Sequence, residues 1–172
     1  NINAFSHSFS EPSLHMKELL RDGEVRHIKA DLSDTEQYQK LPEVDIVIHA
    51  AGYAQPTLFM ADPLTTISIN VTATIALLDH LKPDGTFIFI SSAEVYCGQK
   101  ITPFNEEQIG VSTPYHPRSS YIEGKRCGEA VCAAARKQGV RAISIRLGDI
   151  YGPGTRANDK RALNSFIQRA LV

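Results

Sequence analysis

A chain of 172 residues with a formal net charge of −1 is long enough to bury a sizeable core, typically about 70% of its unfolded surface at this length. With neither a basic run nor a basic excess, nucleic acid is not an expected partner. Cys97, Cys127 and Cys132 are odd in number and lack metal-type spacing, the six histidines are scattered, and no apolar stretch could span a bilayer. Reduced thiols, no metal site, no membrane and a cytoplasmic location are the resulting expectations.

The pattern then alternates between strand and helix. Ser13 to Arg21 reads as a helix stopped by Gly23, and Val25 to Lys29 as a short strand; Asp34 can cap a brief helix reaching Leu41. Asp45 to His49 is a nearly unbroken apolar strand, as expected when both sheet faces are covered. Asp62-Pro63 supplies a cap and a proline at the first helical position. The helix that follows carries Ile67, Val71, Ile75 and Leu78 on one stripe and should end near Lys82-Pro83. Asp84-Gly85 turns the chain into a buried strand, Thr86 to Ser91. A helix opening at Tyr121 ends around Gly139, Arg141 to Arg146 is the last strand, and Ala162 to Val172 a final helix. Such a rhythm implies right-handed crossovers and a doubly wound parallel sheet with helices on both faces. Residues 1–172 are read as a single domain.

Ligands of such sheets bind beyond the carboxyl ends of the strands. Asp31, the run His49-Ala50-Ala51-Gly52, the pair Ser91-Ser92 and the stretch from Leu147 to Tyr151 all fall there. The small residues Ala50, Ala51 and Gly52 would let a flat or phosphorylated ligand approach the backbone, although a close-packed turn explains them equally. Tyr121 and Lys125 are four apart at a helix start, hence on one face. The ammonium can then favour the ionised phenol, which otherwise titrates near ~10 and is a poor base at neutral pH. Tyr96 and Lys100 repeat the spacing, but Gly98 lies between them directly after a strand, so no helical relation is expected there.

Six segments in order carry a family resemblance: Ala30-Asp31-Leu32-Ser33-Asp34, Val47-Ile48-His49-Ala50-Ala51-Gly52, Asn70-Val71-Thr72-Ala73-Thr74, Ser91-Ser92-Ala93-Glu94-Val95-Tyr96, Tyr121-Ile122-Glu123-Gly124-Lys125-Arg126, and Arg146 through Gly154. The chain resembles the extended short-chain dehydrogenase/reductases, in particular the NAD-dependent epimerases and dehydratases of nucleotide sugars. The resemblance implies a Rossmann-like fold and a proton relay in which Tyr121 is the base, Lys125 lowers its pKa and binds the nicotinamide ribose, and Ser92 orients the sugar hydroxyl. It further implies cofactor contacts from Asp31 and Leu32 at the adenine, from Ala50, Ala51 and Gly52 along the pyrophosphate and ribose, and from Asn70, Ser91 and Leu147. A homodimer through the Tyr121 helix is also implied.

Departures narrow the expectation. No Gly-x-x-Gly-x-x-Gly or Gly-x-Gly-x-x-Gly loop occurs. The resemblance therefore implies an incomplete Rossmann domain, lacking the first strand with its glycine loop and the substrate lobe toward which residues 155–172 would lead. Ala93 stands where dehydratases of the family carry an acidic proton donor, so 4,6-dehydration is disfavoured against 4-epimerisation or decarboxylation. Glu94 is either a catalytic acid or a structural carboxylate. Gly124 replaces a usual serine, and Asp149 a common asparagine that can contact substrate phosphate. The expected activity is transient oxidation of a nucleotide sugar with recycled NAD. The alternatives are an NADPH-dependent reductase of the same family, since NADP is not excluded, and a non-catalytic dinucleotide-binding regulator.

Overall fold

The structure is a computed structural model and describes residues 2–6, 18, 21, 23, 25–152, 155, 159 and 161–171. The chain divides into two compact units, Asn1–Leu32 with Asp149–Val172, and Ser33–Gly148.

In the first unit, β1 (Ile2–Ser6) pairs in parallel with β2 (Val25–Lys29), Ile2 opposite Val25 and Ser6 opposite Lys29. The sequence reading did not foresee β1, because Asn-Ile-Asn-Ala-Phe-Ser looks too polar for a central strand. Of the helix expected from Ser13 to Arg21, Glu18 and Arg21 are helical and the remainder lies outside the described residues. A C-terminal helix, here α4, spans Ala162–Ala170.

The second unit holds the parallel sheet β3–β4–β5, formed by Val44–His49, Leu81–Ser92 and Arg141–Leu147. Between β3 and β4 run α1 (Pro56–Ala61) and α2 (Pro63–Leu78); between β4 and β5 runs α3 (Ser119–Lys137). The capping signals act as expected. Asp34 accepts from the Glu36 amide at 3.0 Å and starts a 3-10 helix over Thr35–Lys40. Asp62 accepts from the Thr65 amide at 3.3 Å, with Pro63 at the first helical turn. The helix α2 ends at Leu78, before the expected Lys82-Pro83, and Asp84, at φ 62, lies inside β4, which starts at Leu81 and not at Thr86; the β3–β4 register shifts between Val44 and Ile46. The short helix α1 was missed: six residues give too little periodicity to read, although Pro56 at its start is a fair signal.

One element is rotated from its expected orientation. Ile67 and Ile75, on the apolar stripe of α2 that would ordinarily face the core, are 41% and 52% exposed. Thr66, Ile69, Asn70, Ala73, Thr74 and Leu77 are the buried face. The reason is close packing of α2 on α3. Gly124 and Gly128 of α3 lie against Asn70, where a Cβ at Gly128 would be 3.0 Å from the Asn70 carbonyl oxygen. Only small residues permit that approach. The polar ones can be buried because each bonds to its own helix: Thr66 Oγ1 to Asp62 O at 2.8 Å, Asn70 Nδ2 to Thr66 O at 2.8 Å, Thr74 Oγ1 to Asn70 O at 2.6 Å. Together α2 and α3 pack on the sheet face that carries the fully buried Phe87 and Phe89.

Candidate active site

The sheet sets the site's floor. Register places Ser92, the last residue of β4, opposite Leu147, the last of β5, and His49 of β3 opposite Phe89. The Ser92 hydroxyl accepts from the Glu94 amide at 3.2 Å and caps a 3-10 helix over Ala93–Tyr96. That leaves its O–H proton to donate elsewhere. Ser91 points the other way along the pleat: its hydroxyl donates to Glu129 Oε1 at 2.6 Å, under α3.

Helix α3 brings Tyr121 and Lys125 to the same side. The Lys125 ammonium lies 5.7 Å from the Tyr121 ring centroid and 4.9 Å from that of Phe89, and donates to Ile90 O at 2.7 Å. Burial of the amine, which is 5% exposed, lowers its pKa from 10.5 to about 8. It therefore remains a cation at neutral pH, held by one carbonyl and two ring faces. The half-buried Tyr121 ring stacks on Phe59 of α1 at 4.6 Å between centroids and 14° between planes. By contrast Tyr96 ends its 3-10 helix at the Cys97 cap and Gly98 follows at φ 87, so Tyr96 and Lys100 share no helix.

Behind this pair sit two orphaned acceptors. His49 is buried, donates through Nε2 to Ile69 O at 3.0 Å, and its Nδ1 has no partner. Burial lowers its pKa to about 4, so the ring is neutral and Nδ1 is a bare acceptor. Asn70 Oδ1 is likewise enclosed without a partner, 3.9 Å from where a Cβ on Gly52 would stand. Gly52 itself has φ 148, which side-chain-bearing residues rarely adopt. Asp31 and Leu32 follow β2 in the first unit.

Several site neighbours had no clear sequence signal. Arg118 pairs with Glu94 at 2.6 Å and lies 5.5 Å from the Phe59 ring centroid. Arg146 grips Glu129 with both arms, Nε to Oε1 at 2.8 Å and Nη2 to Oε2 at 2.7 Å, and also bonds to Tyr96 Oη and the carbonyls of Glu106 and Gln108. Arg126 takes the carbonyls of Val95 and Cys97. The two arginines thus fasten the loop after Ser92. A charge at the inward-facing Arg146 position of an apolar strand was the one available hint, since such a charge needs a partner.

The strand ends suit a dinucleotide. Ala50, Ala51 and Gly52 put nothing larger than a methyl group above the backbone. Lys125 has three donors, of which Ile90 O takes one. Residues 6–172 match the NAD dependent epimerase/dehydratase family. The chain belongs to that family. It is 37% identical over 131 residues to UDP-glucuronic acid decarboxylase 1 of Xenopus tropicalis, covering 75% of this chain and 31% of that protein. RMD from Pseudomonas aeruginosa, solved with NADPH, is 27% identical with a TM-score of 0.64 over 92% of this chain and 58% of that one. The UDP-glucuronic acid 4-epimerase of Bacillus cereus, solved with UDP-glucuronic acid and NAD, superposes with a TM-score of 0.72 over 99% of this chain and 55% of that one, at 24% identity. The chain therefore spans about a third of the first relative and just over half of these solved structures, and its α/β architecture with parallel sheets is Rossmann-like, as expected.

Proposed function

We propose that the protein is an NAD-dependent nucleotide-sugar enzyme that oxidises the sugar transiently, and that its substrate is a UDP-hexuronate that it decarboxylates. The observation that carries this reading is the buried Lys125 ammonium beside the Tyr121 ring on one face of α3. A cation there favours the phenolate that takes the proton of the sugar 4-hydroxyl. Ser92, at the strand end with its oxygen already accepting from the Glu94 amide, would orient that hydroxyl. NAD, when bound, supplies the acceptor for the hydride leaving the same carbon and later returns it. Lys125, Ala50, Ala51, Gly52, Asn70 and Leu147 would hold it. Once the 4-position is a ketone, the hexuronate is a β-keto acid. Its carboxylate leaves as carbon dioxide, the bonding pair passes into the enolate, and a proton completes the carbon.

The likeness to UDP-glucuronic acid decarboxylases favours this outcome, and 4-epimerisation of the same sugar class is the second reading, favoured by the fold shared with the Bacillus cereus epimerase. An NADPH-dependent reductase has support in the RMD likeness. Free thiols at Cys97, Cys127 and Cys132 suit a cytoplasmic enzyme. Residues 1–172 belong, in this reading, to one NAD-binding domain, with 155–172 leading toward the substrate lobe. The exposed Leu64, Ile67 and Ile75 of α2, beside the exposed Cys127, Ala130 and Ala134 of α3, offer a face for homodimerisation through the Tyr121 helix.

The test uses protein from the complete reading frame with UDP-glucuronate, following carbon dioxide and the sugar product. Wild type should release carbon dioxide, and Tyr121→Phe should lose roughly 100-fold or more of the rate while retaining NAD. Turnover without carbon dioxide would move the assignment to the epimerase. Unimpaired turnover by Tyr121→Phe would overturn the relay.

A further inference from the structure

We propose that Arg118 is a positioning residue that holds the Ser92 and Tyr121 hydroxyls in mutual register; the proposal rests on the reading of this site as a nucleotide-sugar enzyme. Arg118 is the residue from which α3 springs. Its carbonyl accepts from the amides of both Tyr121 and Ile122 at 3.1 Å, so the backbone that aims the tyrosine starts on it. Its side chain then leaves the helix and spans two other elements. The guanidinium meets Glu94 at 2.6 Å on the 3-10 helix after β4. It also lies 5.5 Å from the centroid of Phe59, the α1 ring on which Tyr121 stacks. Glu94 is in turn bonded through its amide to the Ser92 hydroxyl. One side chain therefore reaches the serine through Glu94 and the tyrosine through Phe59.

A merely superficial ion pair would contribute little, commonly about 0–1 kcal/mol. Three observations set this pair apart. Phe59 is buried, so the guanidinium lies near a core ring. Arg118 Nε is enclosed with no hydrogen-bond partner, a cost that the pairing at the other end of the group must offset. The elements it joins are separate in sequence and are also linked by Ser120 Oγ to Phe59 O at 3.4 Å and by Arg126 to Val95 O, but Arg118 reaches both α1 and the 3-10 helix with one side chain. Arginine rather than lysine is required, because only a flat group can lie against a ring and bond a carboxylate along its edge.

The experiment compares R118Q, R118K, E94Q and the R118Q/E94Q pair in protein from the complete reading frame, with UDP-glucuronate as substrate. R118Q should lose about 10- to 100-fold in kcat, the size expected when reacting groups move by roughly an ångström, with KM changed by less than about 3-fold, and with bound NAD and the thermal midpoint retained. R118K should recover part of kcat, since it restores the charge without the flat face. The double variant should be no slower than R118Q alone, because both changes break one connection. Multiplying losses, or a KM effect with kcat intact, would overturn the proposal. A second readout needs no turnover: crystal structures of wild type and R118Q (or R118K if R118Q does not fold) should differ in the Ser92 Oγ to Tyr121 Oη separation. An unchanged separation overturns the role of Arg118 even if the enzyme proves to act on another substrate. Wild-type inactivity on every nucleotide sugar, with the separation altered, would instead sink the functional reading alone.

Discussion

Lys125 is charged where charge is costly, and that cost has a measurable signature. Its amine titrates near 8 in the folded protein against 10.5 ordinarily, because burial removes its hydration. Between those two values the unfolded chain holds a proton that the folded one has released, so stability must rise with pH across that window. The amplitude is on the order of 3 kcal/mol. Urea titrations at pH 8 and at pH 10 should show this rise in wild type and lose it in Lys125→Met. An equal slope in both proteins would contradict the burial of the charge. His49 behaves similarly at the acid end. Its folded value of about 4 lies below the ordinary 6.5, so the protein should lose stability as pH falls from 6.5 to 4, again by on the order of 3 kcal/mol. His49→Gln should flatten that fall, because glutamine gains no proton. Tyr121 and Lys125 were legible in the sequence because the i,i+4 rule is local. Arg118 with Phe59, and the enclosure of His49, were not, since partners 59 and 118 meet only through tertiary packing.

The pairing of α2 with α3 explains both an outward-facing apolar stripe and two glycines in mid-helix. Hydrophobicity alone would place Ile67 and Ile75 inside. The structure buries Thr66, Asn70 and Thr74 instead, because small side chains let the helices approach and their polar atoms return to their own backbone. Periodicity counts apolar residues and is blind to how closely two backbones can come. Gly128 is the tightest point: an added Cβ would stand 2.7 Å from Phe89 Cε1 and 3.0 Å from Asn70 O. Gly128→Ala should therefore destabilise the protein by about 1–3 kcal/mol, although alanine is the better helix former by about 1 kcal/mol. Gly124→Ala meets Asn70 Cβ only at 3.3 Å, a contact that slight adjustment relieves, and should be near neutral. Denaturant midpoints of the two variants decide the point. A stabilised Gly128→Ala would mean that the helices have room to separate.

The strands other than β1 were legible as strands, and the unbroken apolar run of β3 was read as covered on both faces. The structure shows what that entails for the molecule. On one face of β3–β4–β5, Phe87, Phe89 and Ala142 are buried under α2 and α3. The other face aligns Ile46 and Ile48 with Thr86 and Ile88, and Ile88 and Ile90 with Ile143 and Ile145, ending at Leu147. Ile46 is 59% exposed and Ile48 64%. A continuous aliphatic surface across three parallel strands is not what water-facing sheets carry, since parallel sheets are covered on both sides and large apolar patches mark interaction surfaces. The pattern was written for a buried environment. Ile48→Ala in protein from the complete reading frame should therefore cost what a core deletion costs, about 2–5 kcal/mol, and not the few tenths of a kcal/mol typical of an exposed site. Chemical denaturation of that variant beside Ile101→Ala, from an exposed loop position, separates the two environments. If the covering layer spans the sheet, Ile48→Ala loses stability at any protein concentration. If the second face is instead met by another copy of the chain, the loss appears only where dilution has not already separated the copies. A Ile48→Ala protein as stable as wild type at all concentrations would show that the sheet's second face stays wet.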